Sequence, residues 1–119
     1  MTKRADVVIA RFPYAGSGGG YKVRPAIVVQ CDRLNNQIQN TLLAMVTGNT
    51  KRAGIEPTQF LIDPSTPEGA SSGLSHVSAV KCENLATIPQ SDILDTIGHL
   101  SDLLKQKLND SLKAALELP

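Results

Sequence analysis

The feature that most constrains this chain is a single change of hydrophobic period. Through residue 88 the apolar residues come in short runs, rich in β-branched types and separated by Gly, Pro, Asn and Ser. Beyond that point Ile93, Ile97, Leu100, Leu104, Leu108, Leu112 and Ala115 recur every three to four residues, and Leu103 and Leu116 widen the same stripe. Short runs bounded by turn residues read as strands, and a three-to-four period reads as an amphipathic helix. Gly98 argues that the helix proper starts after it. Ser101 is its expected N-cap, with Asp102 favourably placed against the helix dipole. The chain is therefore expected to be mainly β with one C-terminal helix.

The strand runs are Asp6–Phe12, Pro25–Gln30, Thr41–Val46, a shorter Thr58–Ile62, Val77–Cys82 and Leu85–Ile88. Pro25 is tolerated because it opens its strand. Asn35, Asn36 and Asn40 mark a turn, and the Pro-, Gly- and Ser-rich stretch 63–75 reads as a long loop. Pro89 and Ser91 fit a turn or a short helical piece. Many short strands with one helix suggest a small, strongly curved β-barrel carrying that helix. Periodicity does not give strand order. The second and third strands are joined by about ten residues, however, so they are expected to pair as antiparallel neighbours.

A length of 119 residues suits one domain, residues 1–119, and two-fifths of them are hydrophobic, enough for one core. Cys31 and Cys82 are far apart and in no metal-ligand spacing, so buried, reduced thiols are expected. No apolar stretch reaches transmembrane length and the N-terminus has no signal-peptide core, which reads as cytoplasmic. The formal net charge is only +1, but its distribution is uneven. Residues 1–60 carry eight basic and three acidic side chains, a net of +5, and residues 61–119 carry a net of −4. The first half can present a positive face to a phosphate backbone, or the split can be one of solvated charges. Two Phe, two Tyr and no Trp leave too few aromatics for a stacking sheet. An RNA-binding role would have to run through loops and polar groups.

Several familiar sites are absent. The run Gly16-Ser17-Gly18-Gly19-Gly20 is followed by neither a P-loop Lys nor the last Gly of a dinucleotide fingerprint. His76 and His99 have no second ligand at metal spacing, and there is no serine nucleophile elbow. Neither a metal nor a cofactor is expected. What remains is one constellation: Tyr14 to Gly20, then Lys22-Val23-Arg24-Pro25, then Val46-Thr47-Gly48-Asn49. Arg24 is expected at the entrance of the second strand and Thr47 at the exit of the third. Antiparallel pairing then brings both to one sheet end, under the glycine loop.

The blocks DVVIARFPY (6–14), KVRPAIVVQ (22–30), LLAMVTGNT (42–50), GLSHVSAVKCENLATI (73–88) and IGHLSDLLKQKLNDSLKAAL (97–116) resemble, in order and spacing, those of the MazF/PemK toxin family. The likeness spans nearly the whole chain, and Arg-Pro-Ala followed by Val-Val is its most diagnostic piece. It implies an SH3-like barrel of the CcdB/PemK type that forms homodimers and cuts single-stranded RNA, messenger RNA included, to 2′,3′-cyclic phosphate and 5′-hydroxyl ends. It also implies a cognate antitoxin that lays an acidic, largely disordered tail across the RNA groove. The family's arginine and threonine fall on Arg24 and Thr47 as catalytic residues. RNA contacts are expected from Tyr14, Ser17, Lys22, Asn49, Lys51, Glu83 and Asn84.

The chemistry suits those residue types. Attack by a neighbouring 2′-hydroxyl builds negative charge on phosphorus oxygens, and a guanidinium can hold two of them at once. Thr47 can donate a hydroxyl hydrogen to the same phosphate. The general base is not named: His76, Glu83 and the phosphate's own surroundings are candidates, and the default reading of His76 is structural. The chain departs from the family pattern in three places. Ala5 stands for the Gly before the first strand's Asp, Gly48-Asn49 for the Ser after the Thr, and Glu83-Asn84 where a Gln is common. A non-catalytic interaction module of the same fold, like the gyrase-binding CcdB toxins, is the alternative, and a degenerate member that binds RNA or antitoxin without cutting is another.

Overall fold

The computed structural model describes residues 2–14 and 18–119. The strands are β1 (Asp6–Pro13), β2 (Tyr21–Val28), β3 (Asn40–Thr47), β4 (Gln59–Ile62), β5 (Ser78–Pro89) and β6 (Ile93–His99). The helices are α1 (Asp32–Gln37) and α2 (Asp102–Leu116). All ladders are antiparallel and the strands lie in the order β4-β5-β3-β2-β1-β6.

Side-chain alternation gives this sheet two apolar faces. One carries Val7, Ile27, Ala44, Val46, Phe60, Ile62, Val80 and Cys82, covered by Leu100, Leu104 and Leu108. Fully burying a leucine stabilises the fold by roughly 1.5–3 kcal/mol, so Leu104 and Leu108 fix α2 to the sheet, with Leu100 anchoring the segment just before it. The other face carries Val8, Ala10, Phe12, Ala26, Val28, Leu43 and Ile88, with Ile93 packed beside them. This second cluster is enclosed by the sheet itself. A turn of three residues, Gln90–Asp92, leads from the end of β5 straight into β6, across most of the strand order. So short a connection forces the sheet to roll up. The expected mainly β fold with a C-terminal helix is present; among the described residues no ladder joins β4 to β6, so the sheet is rolled but open and the word barrel fits it only loosely.

Other boundaries shift for local reasons. Val77–Cys82 and Leu85–Ile88 form one strand, because β3 pairs with both parts: Met45 lies opposite Lys81 and Ala44 opposite Leu85. Cys82, Glu83 and Asn84 form the bulge between them. Ile93 and Ile97 leave the helical stripe for β6, where residues spaced by four also satisfy a period of two; Ile93 lies opposite Ala10 of β1, and Ile97 falls in the irregularity between Thr96 and Gly98. The asparagine-rich turn contains α1. On α2 the Ser101 hydroxyl accepts the N–H of Leu104 at 3.3 Å, the expected cap. Leu103 and Leu116 are about half exposed and fall outside the buried stripe. Cys82 is buried as expected, whereas Cys31 is exposed. No helix of the described residues is long and apolar enough to cross a membrane.

Candidate active site

β2 is where the fold opens. Its inner residues Ala26, Ile27 and Val28 pair with Met45, Ala44 and Leu43 of β3 on one side; on the other, Ala26 and Ile27 pair with β1 and the Val28 carbonyl accepts the N–H of Ala5. Pro25, with no N–H to give, is the first residue outside the β2–β3 ladder. From there β2 continues alongside β1 alone, out to Tyr21. Arg24 therefore sits inside a strand, opposite Ala10 of β1, and not at a strand entrance. Extending the interrupted register by two residues sets Arg24 across from Thr47, the last residue of β3.

A cavity of about 570 Å³ occupies this parting of the strands, a size that suits a small-molecule-sized group such as a nucleotide unit. Lys22, Arg24, Thr47 and Gly48 line it, so the convergence expected from the sequence is present. Its opposite wall is the segment from Gly73 to His76, with Ile9 and Ile97 at the back. Arg24 is half-buried, and among the described residues no carboxylate pairs with it. Its guanidinium is free for an anion. The Thr47 hydroxyl oxygen accepts the backbone N–H of Asn49 at 3.2 Å. That bond fixes the oxygen and leaves the hydroxyl hydrogen to donate elsewhere.

The far wall exists because of close backbone approaches. Gly73 has φ 73°, and a β-carbon on it would lie 1.9 Å from the carbonyl oxygen of Ile97. A β-carbon on Gly98 would lie 2.3 Å from the carbonyl oxygen of Ser71. Only glycines let this loop lie flat on β6, and the Ser71 hydroxyl then donates to the His99 carbonyl at 2.9 Å.

A family model described as the PemK-like, MazF-like toxin of type II toxin–antitoxin systems matches residues 3–116. The chain belongs to that family. It is 31% identical to the endoribonuclease EndoA of Bacillus subtilis, covering 99% of this chain and 97% of that protein. It is 28% identical to the endoribonuclease MazF of Staphylococcus saprophyticus, covering 99% and 93%. The fold is shared with a mycobacterial endoribonuclease solved in complex with its cognate antitoxin: TM-score 0.76, 22% identity, 100% of this chain and 98% of that one. The Mycobacterium tuberculosis toxin MazF-mt6 shares it with TM-score 0.75 and 24% identity, covering 96% and 98%.

The toxin's remaining expected RNA contacts lie in different places. Lys22 joins Arg24 and Thr47 in the main cavity. Asn49 lines a smaller neighbouring cavity of about 70 Å³, with Thr47, Arg52, Gln59 and Lys81. Lys51 is exposed, its backbone N–H donating to Asn49 Oδ1 at 3.2 Å. Tyr14 is exposed beside Gly20, whose carbonyl accepts its N–H at 3.2 Å. Ser17 lies outside the described residues. Neither Glu83 nor Asn84 lines either of the two cavities. Glu83 accepts hydrogen bonds from the Thr58 hydroxyl at 3.1 Å and from Gln59 Nε2 at 2.7 Å, tying the bulge to the start of β4. Asn84 Nδ2 donates to the sulfur of Met45 at 3.3 Å.

One wall residue escaped the sequence reading, and another was named there only among several candidate bases. His76, that candidate, whose default reading was structural, lines the main cavity. Lys81 was seen only as part of a strand, yet its half-buried side chain borders the cavity beside Thr47. The charge asymmetry of the sequence blurs here too. Arg11 serves Asp92 at 3.6 Å and the Tyr21 ring, and Arg4 donates to the Val29 carbonyl and Asn109, so part of the positive half holds the fold together.

Proposed function

We propose that this endoribonuclease toxin cuts single-stranded RNA in the cavity between β2 and β3, with Arg24 on the scissile phosphate and Thr47 donating a hydroxyl hydrogen bond to it. The observation that carries the reading is the meeting of an uncompensated guanidinium and an oriented hydroxyl in one nucleotide-sized cavity. The chemistry is attack of the 2′-hydroxyl on its own 3′-phosphate, leaving a 2′,3′-cyclic phosphate and a 5′-hydroxyl. Arg24 meets the charge that develops on phosphorus oxygens. A preorganised donor of that kind contributes about 10²–10³-fold to such a rate. Cations and hydroxyls, the ligands of phosphate, line the cavity, and no metal enters the proposed step.

The toxin acts in the cytoplasm on messenger RNA, and a cognate antitoxin covers the same groove with an acidic segment. Lys22 and Arg24 give that segment its counter-charges. A homodimer is part of the reading. The open sheet edges and the half-exposed Leu103 and Leu116 of α2 are surfaces for it. Sedimentation at micromolar concentration should give twice the chain mass.

The test is incubation with mixed RNA in EDTA, beside Arg24→Ala. Cyclic-phosphate ends made by the wild type alone are the expected result. Intact RNA in both reactions would leave a binding module; equal cleavage by both would remove Arg24 from the site.

A further inference from the structure

The cavity that holds Arg24 and Thr47 needs a group to take the 2′-hydroxyl proton, and neither residue is suited to it. Arginine stays protonated throughout the working range of an enzyme. The Thr47 oxygen already accepts the Asn49 N–H. Among the described residues, the charged groups facing the cavity are Lys22 and Arg24 from β2, with none from β1, β3 or β6 and no carboxylate in its lining. Among the described residues, His76 is the side chain in that lining whose ring carries a nitrogen lone pair able to accept a proton.

Its placement is specific. The Ser78 hydroxyl donates to the His76 carbonyl at 3.0 Å, and Gly73 seats the preceding segment on β6. His76 Nδ1 lies 3.1 Å from the Ser75 hydroxyl oxygen. With Nδ1–H donating there, the lone pair is on Nε2. That nitrogen lies 3.5 Å from the point where a β-carbon on Gly48 would stand. Gly48 immediately follows Thr47, so the imidazole reaches the end of β3 across a residue that has no side chain.

We propose that His76 is the general base of RNA cleavage in this toxin, acting through Nε2 over Gly48. The inference rests on the cleavage reading above. In the step, Nε2 takes the 2′-hydroxyl proton as the O2′–P bond forms and the P–O5′ bond breaks. The departing 5′-oxygen takes a proton from water, and the hydroxide so formed recovers the proton held by the imidazolium. Nothing is consumed beyond the RNA bond.

The experiment measures single-turnover cleavage of a short RNA by the wild type, His76→Gln, His76→Ala and Arg24→Ala across pH. His76→Gln should slow cleavage by about 10²–10⁴-fold, the range for a positioned acid–base group. The rate should saturate at the same RNA concentration, and the wild type's fall in rate on the acid side should disappear. Free imidazole should restore part of the His76→Ala rate. A substrate with sulfur at the 5′-bridging position should leave both His76 variants slow, because a better leaving group does not replace a base. A His76→Gln rate within threefold of wild type with its acid limb intact, or full rescue by the sulfur substrate, overturns the assignment. Cleavage abolished by Arg24→Ala but untouched by His76→Gln overturns it and leaves the cleavage reading standing. No cleavage by the wild type overturns both.

Discussion

The two halves of β2 behave differently although they are continuous. The inner half, Ala26–Val28, is hydrogen-bonded on both sides, to β3 and to β1 or the Ala5 just before it, and is fully buried. The outer half, Tyr21–Arg24, keeps only its β1 partner and is exposed or half-exposed. Pro25 divides them. The sealed half is stabilised by packing and carries no chemistry. The open half contributes little packing and carries Lys22 and Arg24 into the cavity. One strand thus provides both the scaffold and the site, and the boundary is set by the residue that cannot extend a ladder.

Substitutions on the two sides of that division should separate stability from activity. The largest effect is expected from Leu108→Ala, in the fully buried cluster beneath α2. It should lower unfolding free energy by about 2–5 kcal/mol in a denaturant titration. The rate per folded molecule should stay near wild type. A large loss of rate in the folded fraction would mean that the two regions are coupled. Thr47→Val reverses the test. Loss of a hydrogen bond to a charged group, about 1.5–3 kcal/mol, should slow cleavage roughly 10–100-fold while the melting temperature barely moves.

Cys82 probes the sealed side by pH. Burial, and secondarily the adjacent Glu83, push its thiol up to about 12 from 9.0. The fold therefore favours the protonated thiol, and that contribution is intact below about pH 9 and is lost as pH rises toward 12. Melting temperature should fall more steeply above pH 9 for the wild type than for Cys82→Ala; equal slopes would place the thiol in contact with water. The smallest effect is expected at Glu117, which ends α2 with φ 54°, a left-handed conformation suited to glycine. Glu117→Gly should raise stability by about 0.5 kcal/mol and leave cleavage unchanged.

The fold was legible where local signals agreed. The apolar runs at Asp6–Phe12 and Thr41–Val46 lie within β1 and β3, and Ser101 caps α2 as its position before the periodic leucines requires. It was illegible where one pattern served two structures. Ile93 and Ile97 fit a helix or a strand equally, and Leu103 looked like core until the width of the buried face was known. At the site, the convergence of Arg24 and Thr47 followed from antiparallel pairing of neighbouring strands. For Glu83 and Asn84 no local pattern foretold the β5 bulge, which gives Glu83 hydrogen bonds from Thr58 and Gln59 and turns the Asn84 amide to Met45.

The sequence by itself determined the period change, the capped helix, the ordered family blocks and the residues that meet where β2 and β3 part, because each depends on neighbours close along the chain or on one short connection. Tertiary structure alone decided that the sheet rolls without closing, that Gly73 and Gly98 admit a loop onto β6, and that His76 faces the cavity across Gly48. These depend on contacts between residues more than twenty positions apart, whose geometry no local pattern encodes.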